Sequence, residues 1–476
     1  ARAAERVFGA QVKQTLAEKA LAMRHNIGTR LRQGLVDQFA PLKEISEKAY
    51  ILARMSKGTD GAVEATLLYG KIYLRDGVYD VDIKDGGFAK VLASLKGEHD
   101  RFFQWVAAVR GERLKAEGKE NLMSSEDISD LKTLNAGRMA DGTARMPLYA
   151  AALRELNAYN EAALKVAQES GLIDPAALEI MKGQPYVPFY RLMEDGDMKG
   201  PRFSAGLTSQ EFSKKLKGGT QQLNADLLQN TLLNWSHLYA AAARNRAALE
   251  TMAAADKMGV AHLAVRADKD GNYLLAGQEK GMIKVMRDGV AEYWTVEDPY
   301  LLDAISAMSY TPSGAAKAMA PFKRLLTFGV TVNPTFKIRN LIRDSLSAIA
   351  QSDLSYNPLE NVAKGWKATA KDSQTYASML AGGGIIKFGT QENTNQLRGQ
   401  IERLGGTMLD KQGFDKLKDQ MRSLWEVYEE FGDRTENVNR TALYERLRAK
   451  GLSHAEASFQ ARDLMDLDRK STRLNS

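Results

Sequence analysis

Along most of this chain apolar residues recur every three to four positions, the spacing that gathers them on one face of a helix. The opening stretch follows that period through Leu35, Phe39, Leu42, Ile45 and Leu52 until Gly58 to Gly61 interrupt it. The period then shortens to two. Lys71 to Leu74 and Val78 to Val81 flank Asp76-Gly77, a dipeptide suited to a tight hairpin turn. Met282 to Met286 and Val290 to Val296 flank Asp288-Gly289 in the same way. Between the two hairpins, helical spacing returns at Phe88 to Lys115, at Met146 to Glu169 and in the alanine-rich run Leu223 to Met258. Beyond Thr311 the chain reads as helical, with breaks at Gly382-Gly383-Gly384 and Gly405-Gly406.

This pattern predicts a mainly α, multi-helix protein, elongated or multi-lobed, with one or two small β-hairpins. Taken in order, the segments are an N-terminal helical piece (1–57), a hairpin plus helical region (58–195) and a Gly, Lys and Ser-rich connector (196–222). An alanine-rich helix with the second hairpin (223–315) and a C-terminal helical domain (316–467) follow. Asp174-Pro175, Asp298-Pro299, Asn333-Pro334 and Asn357-Pro358 each join a capping side chain to a proline preorganised for a first helical turn. Thr208 with Glu211 and Ser453 with Glu456 have capping-box spacing.

A length of 476 residues with 26% charged and 44% hydrophobic positions describes an ordinary folded chain rather than a disordered one. With no cysteine, thiolate metal sites and cysteine nucleophiles are excluded. No apolar run approaches the ~20 residues of a membrane-spanning helix. The five histidines are scattered without the four-residue helical spacing of a metal site. The serines lack the Gly-x-Ser-x-Gly setting of a hydrolase nucleophile. Gly382 to Gly384 are not followed by Gly-Lys-Ser/Thr and read as a helix break, not a phosphate cradle. No cofactor is called for.

The formal net charge is +7. Asp468 to Ser476 resembles the in-frame translation of a sequencing adapter; without its net +2 the remainder carries +5. The N-terminus is expected to be a cut through a longer chain. Lys214, Lys215 and Lys217 cluster in the connector, and Arg339 and Arg343 lie one helical turn apart, so both places offer phosphate contacts or a plain solvated surface.

The segment from Asn333 to Asp344 joins a helix start to polar residues that helix formation alone does not require. Ile338, Leu341, Ile342, Ser345 and Ile349 share one face, and Asn340, Arg343, Asp344 and Ser347 lie on the other. The trio Asn340, Arg343 and Asp344 suits either a solvated surface or a bridge to a neighbouring helix.

Asn333, Pro334, Phe336, Arg339, Asn340, Arg343 and Asp344 form one motif, and Glu436, Asn437, Arg440, Tyr444, Gly451, Arg462 and Asp463 another. Together they resemble the large polyvalent protein-associated domain of the thirty-eighth class, a module of phage and mobile-element polyvalent proteins. The likeness covers Ala316 to Leu467 well and the preceding half loosely, through Pro185 to Arg191, Asn234 to Leu238 and Arg244 to Arg246.

The resemblance implies a non-catalytic helical accessory segment of a very long polypeptide, held in the virion interior and delivered with DNA into the host cytoplasm. Its implied partners are the other modules of that polypeptide and other virion proteins. It brings no catalytic residues and implies that the last module is truncated. Glu436 and Arg440 have the spacing of an ion pair along one helix, worth a few tenths of a kcal/mol. Two other readings stand beside this one: a nucleic-acid-binding segment that accompanies the injected genome, and a segment that associates with a membrane during delivery.

Overall fold

The computed structural model describes residues 37–84, 86–119, 123–188, 191–192, 198–199, 227–266, 282–308, 369, 373–385 and 437–463. These form a mainly α structure with small antiparallel sheets. The motif from Asn333 to Asp344, Glu436, the Lys214, Lys215 and Lys217 cluster, Thr208 with Glu211, Asn357-Pro358 and the final segment 468–476 lie outside the described residues.

The helices are α1 (Ala40–Ile45), α2 (Glu47–Met55), α3 (Asp60–Leu68), α4 (Phe88–Ser94), α5 (His99–Ala116), α6 (Ser125–Lys132) and α7 (Arg145–Glu169). After them come α8 (Pro175–Met181), α9 (Leu227–Lys257), α10 (Pro299–Met308), α11 (Gln374–Ala381), α12 (437–449) and α13 (His454–Asp463). Strands β1 (Lys71–Arg75) and β2 (Val78–Asp82) make the first hairpin. A two-residue pair, β3 (Arg191–Leu192) with β4 (Met198–Lys199), follows. The last sheet holds β5 (Ala261–Arg266), β6 (Met282–Arg287) and β7 (Val290–Val296) in the order β5-β7-β6.

Both hairpins turn where the Asp-Gly pairs stand. Asp76 and Gly77 have φ of 53° and 95°, and Asp288 and Gly289 have 49° and 77°, the two successive left-handed residues that match the twist of paired strands. Two helical expectations change. The run Phe88 to Lys115 is split between α4 and α5, because Lys96 and Gly97 both adopt positive φ. Gly58 to Gly61 does not end the N-terminal helical region, since a short 3₁₀ turn leads straight into α3. Strand β5, which pairs with the free side of β7, was not signalled by any turn dipeptide.

Helix α9 is the axis of the packing. It lies against α1, α2, α3, α5, α7, β5 and β6. Its alanines make this possible: Ala242, Ala247 and Ala248 are fully buried and let neighbouring backbones come close. The N-terminal half of α9 carries Trp235 and Tyr239 into a core built with α3, α4, α5, α7, the first hairpin, α11 and α12. Its C-terminal half carries Ala247 and Met252 into a second core with α1, α2, the three-stranded sheet and α10. Burying a leucine-sized side chain is worth about 2 kcal/mol, so these apolar faces dominate the stability.

Asn245 ties the two halves. Its Nδ2 donates to the carbonyls of Ser170 (2.7 Å) and Met286 (2.8 Å), and its Oδ1 accepts from Met286 N–H at 2.8 Å. A buried asparagine that satisfies three polar partners fixes the sheet and the end of α7 against α9 in one register. Among the described residues, no helix is long and apolar enough to cross a membrane.

Candidate functional site

The C-terminal motif residues that the structure describes meet residues from the far N-terminal side in a polar seam. Helix α12 ends because Gly451 takes φ of 90°, while Gly451 N–H bonds Arg448 O at 3.0 Å and Leu452 N–H bonds Leu447 O at 3.1 Å. That is the paired C-terminal cap for which glycine is preferred. Ser453 and Glu456 then start α13 with the expected capping box: Ser453 N–H donates to Glu456 Oε2 (2.9 Å) and Glu456 N–H to Ser453 Oγ (3.2 Å). Asp76, from the turn of the first hairpin, adds its Oδ2 to the His454 N–H at 2.7 Å.

His454 sits behind this cap with no exposed surface. Its Nε2 lies 2.8 Å from the Tyr79 carbonyl, an acceptor only, so Nε2 carries the proton and Nδ1 accepts from the Tyr444 hydroxyl at 2.8 Å. Burial lowers the His454 pKa, against the pull of Asp80. Tyr444 is pushed up to about 12, first by burial and then by the charge of Asp80, which keeps its hydroxyl a donor.

Asp80 is also fully buried. Burial alone would raise its pKa. The facing His454 and hydrogen bonds from Ser378, the Val81 N–H and Tyr73 reverse that effect and hold it below the ordinary value. Arg75 Nη1 lies 2.7 Å from Asp80 Oδ2.

Farther along α13 the seam reaches α2. Arg54, 7% exposed, extends Nη2 to Asp463 Oδ1 (3.3 Å) and Nη1 to Tyr50 Oη (3.2 Å) and Asp37 Oδ2 (3.4 Å). Its guanidinium also lies over the rings of Tyr50 and Phe459. Arg462 Nη1 donates to Gly383 O at 3.1 Å. The three glycines therefore close a helix: Gly383 has φ of 75°, Gly384 N–H bonds Met379 O at 2.8 Å, and the carbonyl of Gly383 receives Arg462.

The structure thus unites Tyr444, Gly451, Arg462 and Asp463, and buries Asn437 and Arg440, whose Nη1 reaches Asn437 Oδ1 at 3.4 Å. Sequence reasoning missed Arg54, Asp76, Asp80 and His454. Asp76 was marked only as a turn residue and the others only by polarity inside apolar-patterned stretches, neither of which identifies a partner hundreds of residues away.

A second feature gathers two of the upstream motif pieces. Pro185 and Tyr186 face Asn234, Trp235 and Leu238 across a cavity of about 280 Å³, with Arg110 and Arg113 of α5 and Asn157 and Asn160 of α7 completing its wall. Trp235 Nε1 donates to Asn160 Oδ1 at 2.9 Å, and Asn160 Nδ2 donates to Tyr186 O at 3.2 Å. Arg110 donates to Val187 O at 3.1 Å and lies over the Tyr186 ring at 5.3 Å. Among the residues that line it, three buried polar atoms have no hydrogen-bond partner: Arg113 Nε, Asn157 Oδ1 and Asn234 Oδ1.

No family model matches the chain, and the searches of curated proteins and solved structures return no match.

Proposed function

We propose that this chain is a non-catalytic helical accessory segment of a phage polyvalent protein, packaged in the virion and delivered with DNA to the host cytoplasm. One observation supports the reading. The described motif residues that carry the resemblance use their polar groups within the chain itself: Gly451 caps a helix, Tyr444 serves His454, Arg462 serves Gly383 and Asp463 serves Arg54. Such residues maintain a shape, and a shape is what an accessory module of a long polypeptide contributes to its neighbours.

Protease treatment of intact particles followed by mass spectrometry tests this. Peptides from 437–463 should appear only after the particles are opened, and should be found in the host fraction after infection. Their absence from particles, or turnover of a small molecule lost on changing one side chain, would overturn the assignment. In a gel-shift titration across salt concentrations, DNA binding that is lost when Lys214, Lys215 and Lys217 are replaced by alanine would favour the nucleic-acid reading instead.

A further inference from the structure

Helix α13 is held to the body more by polar bonds than by apolar contact. The side chains it buries are His454, Ala455, Ala457, Ser458 and Ala461, with Phe459 half-buried. Alanine has little apolar area to remove from water, whereas the neighbouring α12 buries Val438, Leu443, Tyr444 and Leu447. The bonds that fasten α13 come from His454, Arg462 and Asp463, and Gly451 stands at the joint between the two helices. An element held in this way opens at lower free-energy cost than the core.

The central bonds of this attachment suit one protonation state. His454 Nε2–H already meets the Tyr79 carbonyl, so a second proton goes to Nδ1, at which the Tyr444 hydroxyl points its hydrogen. That hydroxyl would then have to turn. The carboxylate whose charge acts on both groups is Asp80, but its lone pairs are taken by Tyr73 (3.0 Å), Arg75 (2.7 Å), the Val81 N–H (2.8 Å) and the Ser378 hydroxyl. Ser458 Oγ, 3.4 Å from Nδ1, is at the long limit of a hydrogen bond. Gly382, at the end of α11, packs so closely that a Cβ there would stand 3.1 Å from Nε2. Asp76, Asp80 and Arg75 face His454 from the first hairpin, and Tyr444 and Arg448 from α12; Asp80 favours a charged ring, while burial and the two arginines oppose it.

We propose that α13 is an acid-released latch: a second proton on His454 breaks the chain of bonds from Tyr444 to Tyr79 and frees α13 from the first hairpin and α11, while α12 and α9 stay packed. In the released helix the imidazole is solvated and takes up its proton near the ordinary pKa of about 6.5. The docked ring takes it up less readily, so each pH unit below that value favours release by up to about tenfold. The latch goes beyond the accessory role proposed above and does not depend on it.

Hydrogen exchange of the full chain, read by mass spectrometry as protection factors so that the intrinsic pH dependence of exchange cancels, tests the latch. Protection at 458–463 should fall by about three- to tenfold from pH 7.5 to pH 5.5, and at pH 5.5 should lie at least about tenfold below that at 235–252 of α9. His454→Gln, which has no ring to titrate, should lose the pH response at 458–463. Should that variant fail to fold, Tyr444→Phe removes the donor that favours an unprotonated Nδ1 and should shrink the response. Protection at 458–463 that does not change with pH would overturn the proposal. So would equal protection at 458–463 and 235–252, which would mean that α13 opens only when the whole protein unfolds, or a parent-sized pH response in either folded variant.

Discussion

Arg54 and Asp463 are 409 positions apart in the chain and 3.3 Å apart in space. The same guanidinium reaches Asp37 and Tyr50, so one side chain joins the turn before α1, α2 and α13. Replacing it with methionine keeps much of the aliphatic packing but removes the guanidinium from both carboxylates, while Asp37 keeps the Tyr50 hydroxyl and the Phe39 N–H as donors. Arg54→Met is expected to cost about 2 kcal/mol, below the full value of a broken buried pair because Asp463 retains some solvent contact. Asp463→Asn, at that partly wetted end, should cost under about 1 kcal/mol. Urea unfolding of the two variants measures both, and equal costs would mean that Arg54 owes its position to Asp463 alone.

Trp235 is 1% exposed and packs edge to face with Phe88 at a centroid distance of 5.2 Å. Its Nε1 satisfies Asn160 Oδ1. Trp235→Phe therefore removes apolar contact and strands a buried acceptor together. The expected destabilisation is about 2–3 kcal/mol, measured by the shift in urea midpoint at constant slope.

Gly61 shows a backbone constraint of a different kind. A Cβ built there would stand 2.2 Å from the carbonyl oxygen of Leu380, a backbone atom that cannot swing aside. Gly61→Ala must therefore push α11 away from α3. An overpacking cost of about 1–3 kcal/mol is expected, with new proteolytic cleavage between 373 and 385 as the local sign. Loss of stability without new cleavage there would place the strain elsewhere.

These positions show which parts of the fold can be read from the sequence. Asp76-Gly77 and Asp288-Gly289 declare their hairpins because left-handed backbone has a local residue requirement. Asp174 and Asp298 declare helix starts for a similarly local reason: each side chain accepts backbone N–H groups two or three residues ahead. Gly451 marks a helix end, and Ser453 with Glu456 marks the next start. Gly61 gave the opposite impression, a helix break, because a glycine required by a neighbouring backbone looks the same in sequence as one required by a turn. The seam and the cavity were not legible. Asp80, His454 and Asn160 acquire their roles only from partners that folding brings to them, and no local period encodes that pairing.

His454 supplies a pH dependence whose sign follows from its burial. Burial depresses its pKa below the ordinary 6.5, although Asp80 and the Tyr79 carbonyl favour the charged ring; Arg75 and Arg448 add to the depression. When pH falls through 6.5, the unfolded chain takes up a proton at this imidazole while the folded chain does not. Its contribution to stability is therefore complete above 6.5, declines as the pH is lowered, and levels off once the folded pKa is passed. One proton sets the greatest slope, about 1.4 kcal/mol per pH unit. Asp80, with its pKa held low, acts in a separate and more acidic window, below about pH 4. His454→Gln should be less stable than the parent at pH 7.5, because Gln meets the Tyr79 carbonyl and Tyr444 less well, but this share of the decline toward pH 5.5 should disappear from its urea midpoints. A parent-sized slope in the variant would assign the dependence to other groups.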